Sequence, residues 1–201
     1  MKIAGIQKIS LIDYPGNIST VLFTQGCNFR CIYCHNPQLV YPEFFQPIIL
    51  LHDIFEYLEK RKNQIDAVVI SGGEPTLHHD LPEFIIKIKK IGYKVKLDTN
   101  GSNPEMLDKL LSENLVDFIA MDIKHIPAKY KIICGVDINI NKIIESIKIL
   151  DKSSINVQFR TTVMNEFHTK EDMDGISALI KKTIKIQKYK AYKHLIDFNI
   201  Q

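Results

Sequence analysis

The sequence predicts an α/β fold, a partial and open parallel β/α barrel of about six β/α units. Three observations lead there. Segments of strand length and helix length alternate along the chain, the pattern that right-handed crossovers turn into a parallel sheet. The segments Ala67-Val68-Val69-Ile70 and Phe118-Ile119-Ala120-Met121 are continuously apolar, as strands covered on both faces are. Polar motifs stand at the carboxyl ends of the predicted strands, the rim where parallel barrels place their chemistry. A closed eight-unit barrel takes about 250 residues, whereas this chain has 201. The sheet is therefore expected to stay open.

Residues 1–17 are an N-terminal arm. Its turn signal, Asp13-Tyr14-Pro15-Gly16-Asn17, lies between short apolar runs at 3–6 and 18–23 and suggests a hairpin into the first strand. Strands are expected at 18–24, 66–70, 93–98, 116–121 and 155–163. Helices are expected at 47–62, 80–91, 104–113, 139–151 and 170–186. A sixth strand is expected within 194–200, from His194-Leu195-Ile196-Asp197-Phe198; without it an apolar sheet edge would be bare. No repeat or low-complexity linker breaks the pattern, so one domain over residues 1–201 is expected.

Hydrophobic residues make up 45% of the chain, enough for one sizeable core. Lys and Arg number 26 against 23 Asp and Glu, a formal charge of +3, and no basic block interleaves with aromatics. A nucleic-acid partner is not expected. No run approaches the roughly 18 apolar residues that span a bilayer, and residues 1–16 lack the apolar core of a secretion signal. No membrane partner and a cytoplasmic location are expected. Four cysteines, three of them clustered, suit a reducing compartment where thiols hold metals.

The clustered thiols are Cys27, Cys31 and Cys34, within Gly26-Cys27-Asn28-Phe29-Arg30-Cys31-Ile32-Tyr33-Cys34-His35-Asn36-Pro37. At this spacing they can wrap a loop around one soft metal centre. A fourth ligand is missing locally. His35 adjoins Cys34 and is poorly placed to close the same site, and Cys134, in Ile132-Ile133-Cys134-Gly135, reads as a small buried apolar residue. Structural zinc takes four closed ligands, whereas three cysteines suit a [4Fe-4S] cluster with one iron open to a substrate or cofactor. A zinc centre and three unrelated buried thiols are the alternatives. An open iron is vulnerable to oxygen, so an anaerobic setting is expected.

The later motifs would face this loop. Strand two runs into Ser71-Gly72-Gly73-Glu74-Pro75, where two glycines permit close backbone approach and Glu74 offers an acceptor. The plainer alternative is a turn in which Glu74 caps a helix. Strand three ends in Asp98-Thr99-Asn100-Gly101 and strand four in Asp122-Ile123-Lys124. Asp98 and Asp122, on neighbouring strands, would need a cation or a lysine between them; Lys124 is the local candidate, and a solvated pair is the alternative. Arg160, in Arg160-Thr161-Thr162, can pair bidentately with a carboxylate, either a ligand's or one of these two. His78 and His79 read as residues leading into a helix, and His52, His125 and His168 as surface residues.

Cys27-x3-Cys31-x2-Cys34, with Tyr33 before the last cysteine and His35-Asn36 after it, resembles the cluster loop of radical S-adenosylmethionine (SAM) enzymes. Within that superfamily the chain is similar to the glycyl-radical-enzyme activases, above all those of the anaerobic ribonucleoside-triphosphate reductase, from Met1 to about Ile180. The resemblance implies the open radical SAM barrel and a [4Fe-4S] cluster on the three cysteines. One electron from a flavodoxin or ferredoxin, at a potential within the roughly −700 to +450 mV span of protein clusters, would cleave SAM to methionine and a 5′-deoxyadenosyl radical. That radical would take the Cα hydrogen from one glycine of a partner, here the anaerobic ribonucleotide reductase. The resemblance further implies that Gly72, Gly73 and Glu74 bind the methionyl amino group and that Tyr33, His35 and Asn36 pack the adenine and its sugar. By the same resemblance Asp98, Thr99, Asp122 and Lys124 border the cofactor, the aspartates holding a monovalent cation beside its carboxylate.

No cysteine lies between Cys34 and Ser71, and no cysteine cluster follows later. A compact activase of the ribonucleotide reductase or pyruvate formate-lyase type is therefore expected. The enzymatic alternative is a small-molecule radical enzyme like the 7-carboxy-7-deazaguanine synthases, whose cluster loop is typically spaced differently. The non-enzymatic alternative, an iron-sulfur electron carrier or sensor, would not need the rim of polar motifs. After Ile186 the resemblance weakens: residues 187–201 diverge from the final strand and Arg-Pro-Gly-like turn of such activases.

Overall fold

The computed structural model describes residues 1–189. Among these, one sheet of seven strands runs in the spatial order of the sequence. The arm supplies β1 (Ile3–Ser10), antiparallel to β2 (Ser19–Thr24). From β2 onward every pairing is parallel: β3 (Ala67–Gly72), β4 (Lys94–Thr99), β5 (Phe118–Asp122), β6 (Asn156–Val163) and β7 (Ile184–Lys188). The crossovers carry α1 (Pro37–Val40) and α2 (Leu51–Arg61), then α3 (Leu81–Ile91), then α4 (Pro104–Ser112). Beyond β5 come α5 (Tyr130–Cys134) and α6 (Ile140–Lys152), and α7 (Lys170–Ala178) joins β6 to β7.

Two elements depart from expectation. The first long helix begins at Leu51 rather than 47 because residues 47–50 run extended past the arm, Ile49 N donating to Ile3 O at 2.7 Å. The last helix, expected to reach 186, stops at Ala178. Residues 184–188, Ile-Lys-Ile-Gln-Lys, alternate with the period of two that suits a strand, and they pair with β6 from Phe159↔Ile184 to Val163↔Lys188. The sixth parallel strand is thus β7. The strand expected within 194–200 lies outside the described residues.

Alternation sorts the side chains. On the outer face Leu22, Val68, Ile70, Leu97, Ile119 and Phe159 pack against Ile54, Leu58, Ile85, Leu107, Ile147 and Ile176 of the helices. On the inner face Val21, Ala67, Val69 and Phe118 form a smaller cluster with Tyr14. Tyr14 precedes β2, yet its ring meets Phe118 of β5 edge-on at 5.7 Å. Three strand spacings in a flat sheet would separate those strands by about 14 Å, so the sheet curls inward as a partial barrel does. No helix among the described residues is long and apolar enough to cross a membrane.

Candidate active site

The carboxyl ends of the parallel strands enclose a cleft of about 380 Å³. The loop after β2 brings Cys27, Cys31 and Cys34 to it. This loop is pinned from two sides. Gly26 N donates to Leu39 O at 2.7 Å, while Arg30 N and Ile32 N donate to Cys134 O and Ile133 O at 2.8 and 3.1 Å. The tight seat against α5 requires Gly135, which has φ +67° and no room for a Cβ beside Arg30 O.

Burial pushes the Cys27 thiol up to about 12 and raises Cys34 as well. A hydrogen bond from Cys134 brings Cys31 down to about 7, and the same contact, followed by burial, raises Cys134. Cys134 is fully buried behind the loop. The donor set in the cleft is therefore three thiols from one loop with the cavity on their open side, which fits a cluster keeping one iron free better than a closed zinc site.

Gly72 and Gly73 follow β3. Gly72 has φ +115°, and a Cβ on either glycine would strike backbone, at Thr24 and Gly26 respectively. Glu74 lines the cleft, but its carboxylate is fully buried and turned toward the neighbouring loop. Oε1 accepts from Thr76 N, Thr76 Oγ1 and Thr99 Oγ1 at 3.1, 2.5 and 2.7 Å, and Oε2 accepts from Asn100 N at 2.6 Å. Burial raises its carboxyl above the ordinary range while these donors pull the other way. Glu74 is thus a cap, as the plainer alternative had it, and also a clamp between the β3 and β4 loops. Asn100 carries the clamp on to the cysteine loop: its amide donates to Asn28 Oδ1 at 2.9 Å and approaches Cys27 Sγ at 4.0 Å.

At the inner wall Arg160 of β6 bridges the two aspartates. Its Nε donates to Asp122 Oδ1 at 2.7 Å and its Nη1 to Asp98 Oδ2 at 3.3 Å. Lys124 adds a bond to Asp122 at 3.1 Å, and Lys96 one to Asp98 at 2.5 Å. Burial alone would raise Asp122, but Arg160 and Lys124 outweigh it and hold its carboxyl well below the carboxylate range. Burial likewise opposes the Lys124 charge, and Asp122 restores it. Three cations against two carboxylates leave one positive charge on this wall, suited to a ligand carboxylate.

Tyr33, His35 and Asn36 line the same cleft. The Tyr33 hydroxyl is buried with no hydrogen-bond partner among the described residues, a polar atom that a bound ligand can satisfy. Lys124 Nζ lies 5.8 Å from the Tyr33 ring centre, and His35 stacks on Tyr189, just past β7, at 5.5 Å. All fourteen residues proposed from the sequence, Thr99 among them, border this one cleft.

Some residues here receive no role from the sequence alone. Lys96 sits inside an apolar strand, and only its position two residues before Asp98 signals a shared face. Asn28 and Asn100 act through contacts between distant loops. The histidines need a correction: His52 is exposed as expected, but His125 and His168 are buried and stacked at 4.6 Å. Each is enclosed by loops from separate strands, which local sequence does not show.

The profile of the Radical SAM superfamily matches residues 21–180. A Methanocaldococcus jannaschii protein named for the glycyl-radical enzyme activating enzymes is 37% identical over 190 residues, covering 89% of this chain and 75% of that one. The pyruvate formate-lyase-activating enzyme of Clostridium pasteurianum is 33% identical over 148 residues, covering 67% of this chain and 57% of that one. The chain therefore spans three quarters of one relative and little more than half of the other. Among solved structures, TYW1 with a lysine-pyruvate adduct bound shares the fold, with a TM-score of 0.66 at 18% identity over 87% of this chain and 66% of that one. The chain belongs to the radical SAM superfamily and, within it, to the glycyl-radical enzyme activating enzymes.

Proposed function

We propose that this chain generates a glycyl radical on a partner enzyme, the anaerobic ribonucleoside-triphosphate reductase, drawing its electron from a flavodoxin or ferredoxin. The cofactors of its family are a [4Fe-4S] cluster and SAM. When bound, they supply a one-electron reductive cleavage and with it the hydrogen-atom abstraction from a glycine Cα. The observation that carries the proposal is the meeting of the three-cysteine loop with four other strand-end loops in one cleft.

The chain's own residues bind and orient. Cys27, Cys31 and Cys34 hold the cluster and must lose their protons to do so. The Gly72-Gly73 backbone offers the surface for the methionyl amino group, with Glu74 fixing that turn from behind. Lys124 and Arg160, charged and held by Asp122 and Asp98, orient the carboxylate, and Tyr33, His35 and Asn36 enclose the adenosyl half. A monovalent cation beside Asp98 and Asp122 belongs to the same proposal, sharing oxygens already met by Lys96, Lys124 and Arg160. A tighter SAM complex in potassium than in choline salts supports the cation; equal affinity removes it.

A second reading, activation of a pyruvate formate-lyase, is favoured by the similarity to the Clostridium enzyme. The reduced, cluster-loaded protein is mixed with SAM and each candidate partner in turn. 5′-Deoxyadenosine together with a glycyl doublet in the electron paramagnetic resonance spectrum of the reductase is the expected result. The doublet only on the lyase selects the second reading, and no 5′-deoxyadenosine with any partner overturns both.

A further inference from the structure

His125 and His168 lie outside the cleft, on the loops that follow β5 and β6, and nothing above gives them a task. Their bonding is reciprocal. His125 Nε2 faces Phe167 O, on the β6 loop, at 2.9 Å, and His168 Nε2 faces Lys124 O, on the β5 loop, at 3.1 Å. A carbonyl can only accept, so both Nε2 atoms carry hydrogen. Ile126 N donates to His125 Nδ1 at 2.8 Å, so that nitrogen carries none and the His125 ring is neutral. The rings stack at 4.6 Å and are 1% and 7% exposed.

The residue held by this exchange is Lys124. Its N–H donates to the hydroxyl of fully buried Tyr130 at 3.2 Å, its carbonyl accepts from His168, and its ammonium pairs with Asp122 in the cleft. We propose that His125 and His168 form a latch that positions Lys124 for the cofactor carboxylate, and that the latch holds only while His125 is neutral. The inference rests on the cleft being the SAM site.

A proton on His125 Nδ1 would point a donor at the Ile126 N–H and place a charge against the His168 ring. Other charges face the pair from two further elements. Asp172 of α7 lies 3.7 Å from His125 Nε2 and favours protonation, but Lys129, before α5, is bonded to the same carboxylate at 2.9 Å and counters it. Lys124 turns its own ammonium away toward Asp122. Burial keeps His125 below the ordinary imidazole value. A histidine so held is neutral at neutral pH, and the latch is lost as pH falls below the usual imidazole range.

The test uses the cluster-loaded protein and titrates SAM anaerobically by calorimetry. Wild-type affinity is expected to begin falling below about pH 6 and to be several-fold lower at about pH 5 than at about pH 7.5. Glutamine carries a donor near the Nε2 position and does not titrate. His125→Gln/His168→Gln is therefore expected to retain binding to within about threefold and to lose the pH dependence. His168→Ala is expected to bind several-fold more weakly at both pH values. An equal fall with pH in the double glutamine variant, or none in the wild type, overturns the latch. Imidazole nitrogen resonances give a readout that does not require SAM: hydrogen on Nε2 of both rings with none on His125 Nδ1 supports it, and an Nδ1–H tautomer on His125 overturns it. A wild type that shows those tautomers but binds no SAM at either pH refutes the cleft assignment and, with it, the task given to Lys124.

Discussion

Gly73 presses on the carbonyl of Gly26 so closely that no side-chain carbon fits between them, and Glu74 N donates to that same carbonyl at 2.8 Å. The turn after β3 is thereby docked on the residue before Cys27. Gly73→Ala must push the two loops apart, at an expected cost of about 1–3 kcal/mol in urea unfolding. Iron bound per chain after reconstitution should fall with it.

Glu74→Gln replaces one acceptor oxygen by a donor. Whichever way the amide turns, an NH2 group meets Asn100 N or the donors from Thr76 and Thr99. A loss of about 1–3 kcal/mol in stability is expected. SAM affinity that dropped at unchanged stability would instead make the carboxylate a direct cofactor ligand.

Arg160→Ala leaves Asp98 and Asp122 facing each other with Lys96 and Lys124 as their remaining partners. Removing one member of a buried ion pair costs about 3–5 kcal/mol, somewhat less here because the site opens on the cleft. The pH dependence has a definite sign. The folded-state carboxyl of Asp122 lies below its unfolded value, so its contribution is complete above the ordinary carboxylate pKa of about 3.9 and disappears as pH falls below it. Urea unfolding at a series of pH values should show this acid loss in the wild type and a shallower one in Arg160→Ala.

Alanine at Cys27, Cys31 or Cys34 should abolish the visible absorbance and iron content of the anaerobically reconstituted protein, and brief air exposure should bleach the wild type. Cys134→Ala should retain iron, because that thiol lies behind the loop and outside the cleft. Loss of iron in Cys134→Ala would make it a ligand.

The rim of the fold was legible because its residues are confined to strand ends, where a short motif such as Ser71–Glu74 or Asp98–Thr99 stands out against apolar sequence. What links those motifs was not. The Glu74 clamp depends on Thr99 and Asn100 arriving from another strand, and Arg160 could be paired with Asp98 and Asp122 only as one of two options. The overlong last helix has a local cause. Ile176, Ile180 and Ile184 recur every fourth residue and imitate a helical stripe, whereas pairing with β6 draws residues 184–188 into the sheet. The buried histidines were missed for the opposite reason: a stacked pair built from two loops leaves no pattern in either one.

The parallel register between β5 and β6 sets Asp122 beside Arg160. A slip of one residue would turn the guanidinium out of the cleft and into the apolar layer beneath the helices, stranded there without a counter-charge. The ion pair therefore proofreads the assembly of the sheet. A shifted register is disfavoured at the strand that completes the wall, so the same two side chains favour both the native pairing of the sheet and the shape of the cleft.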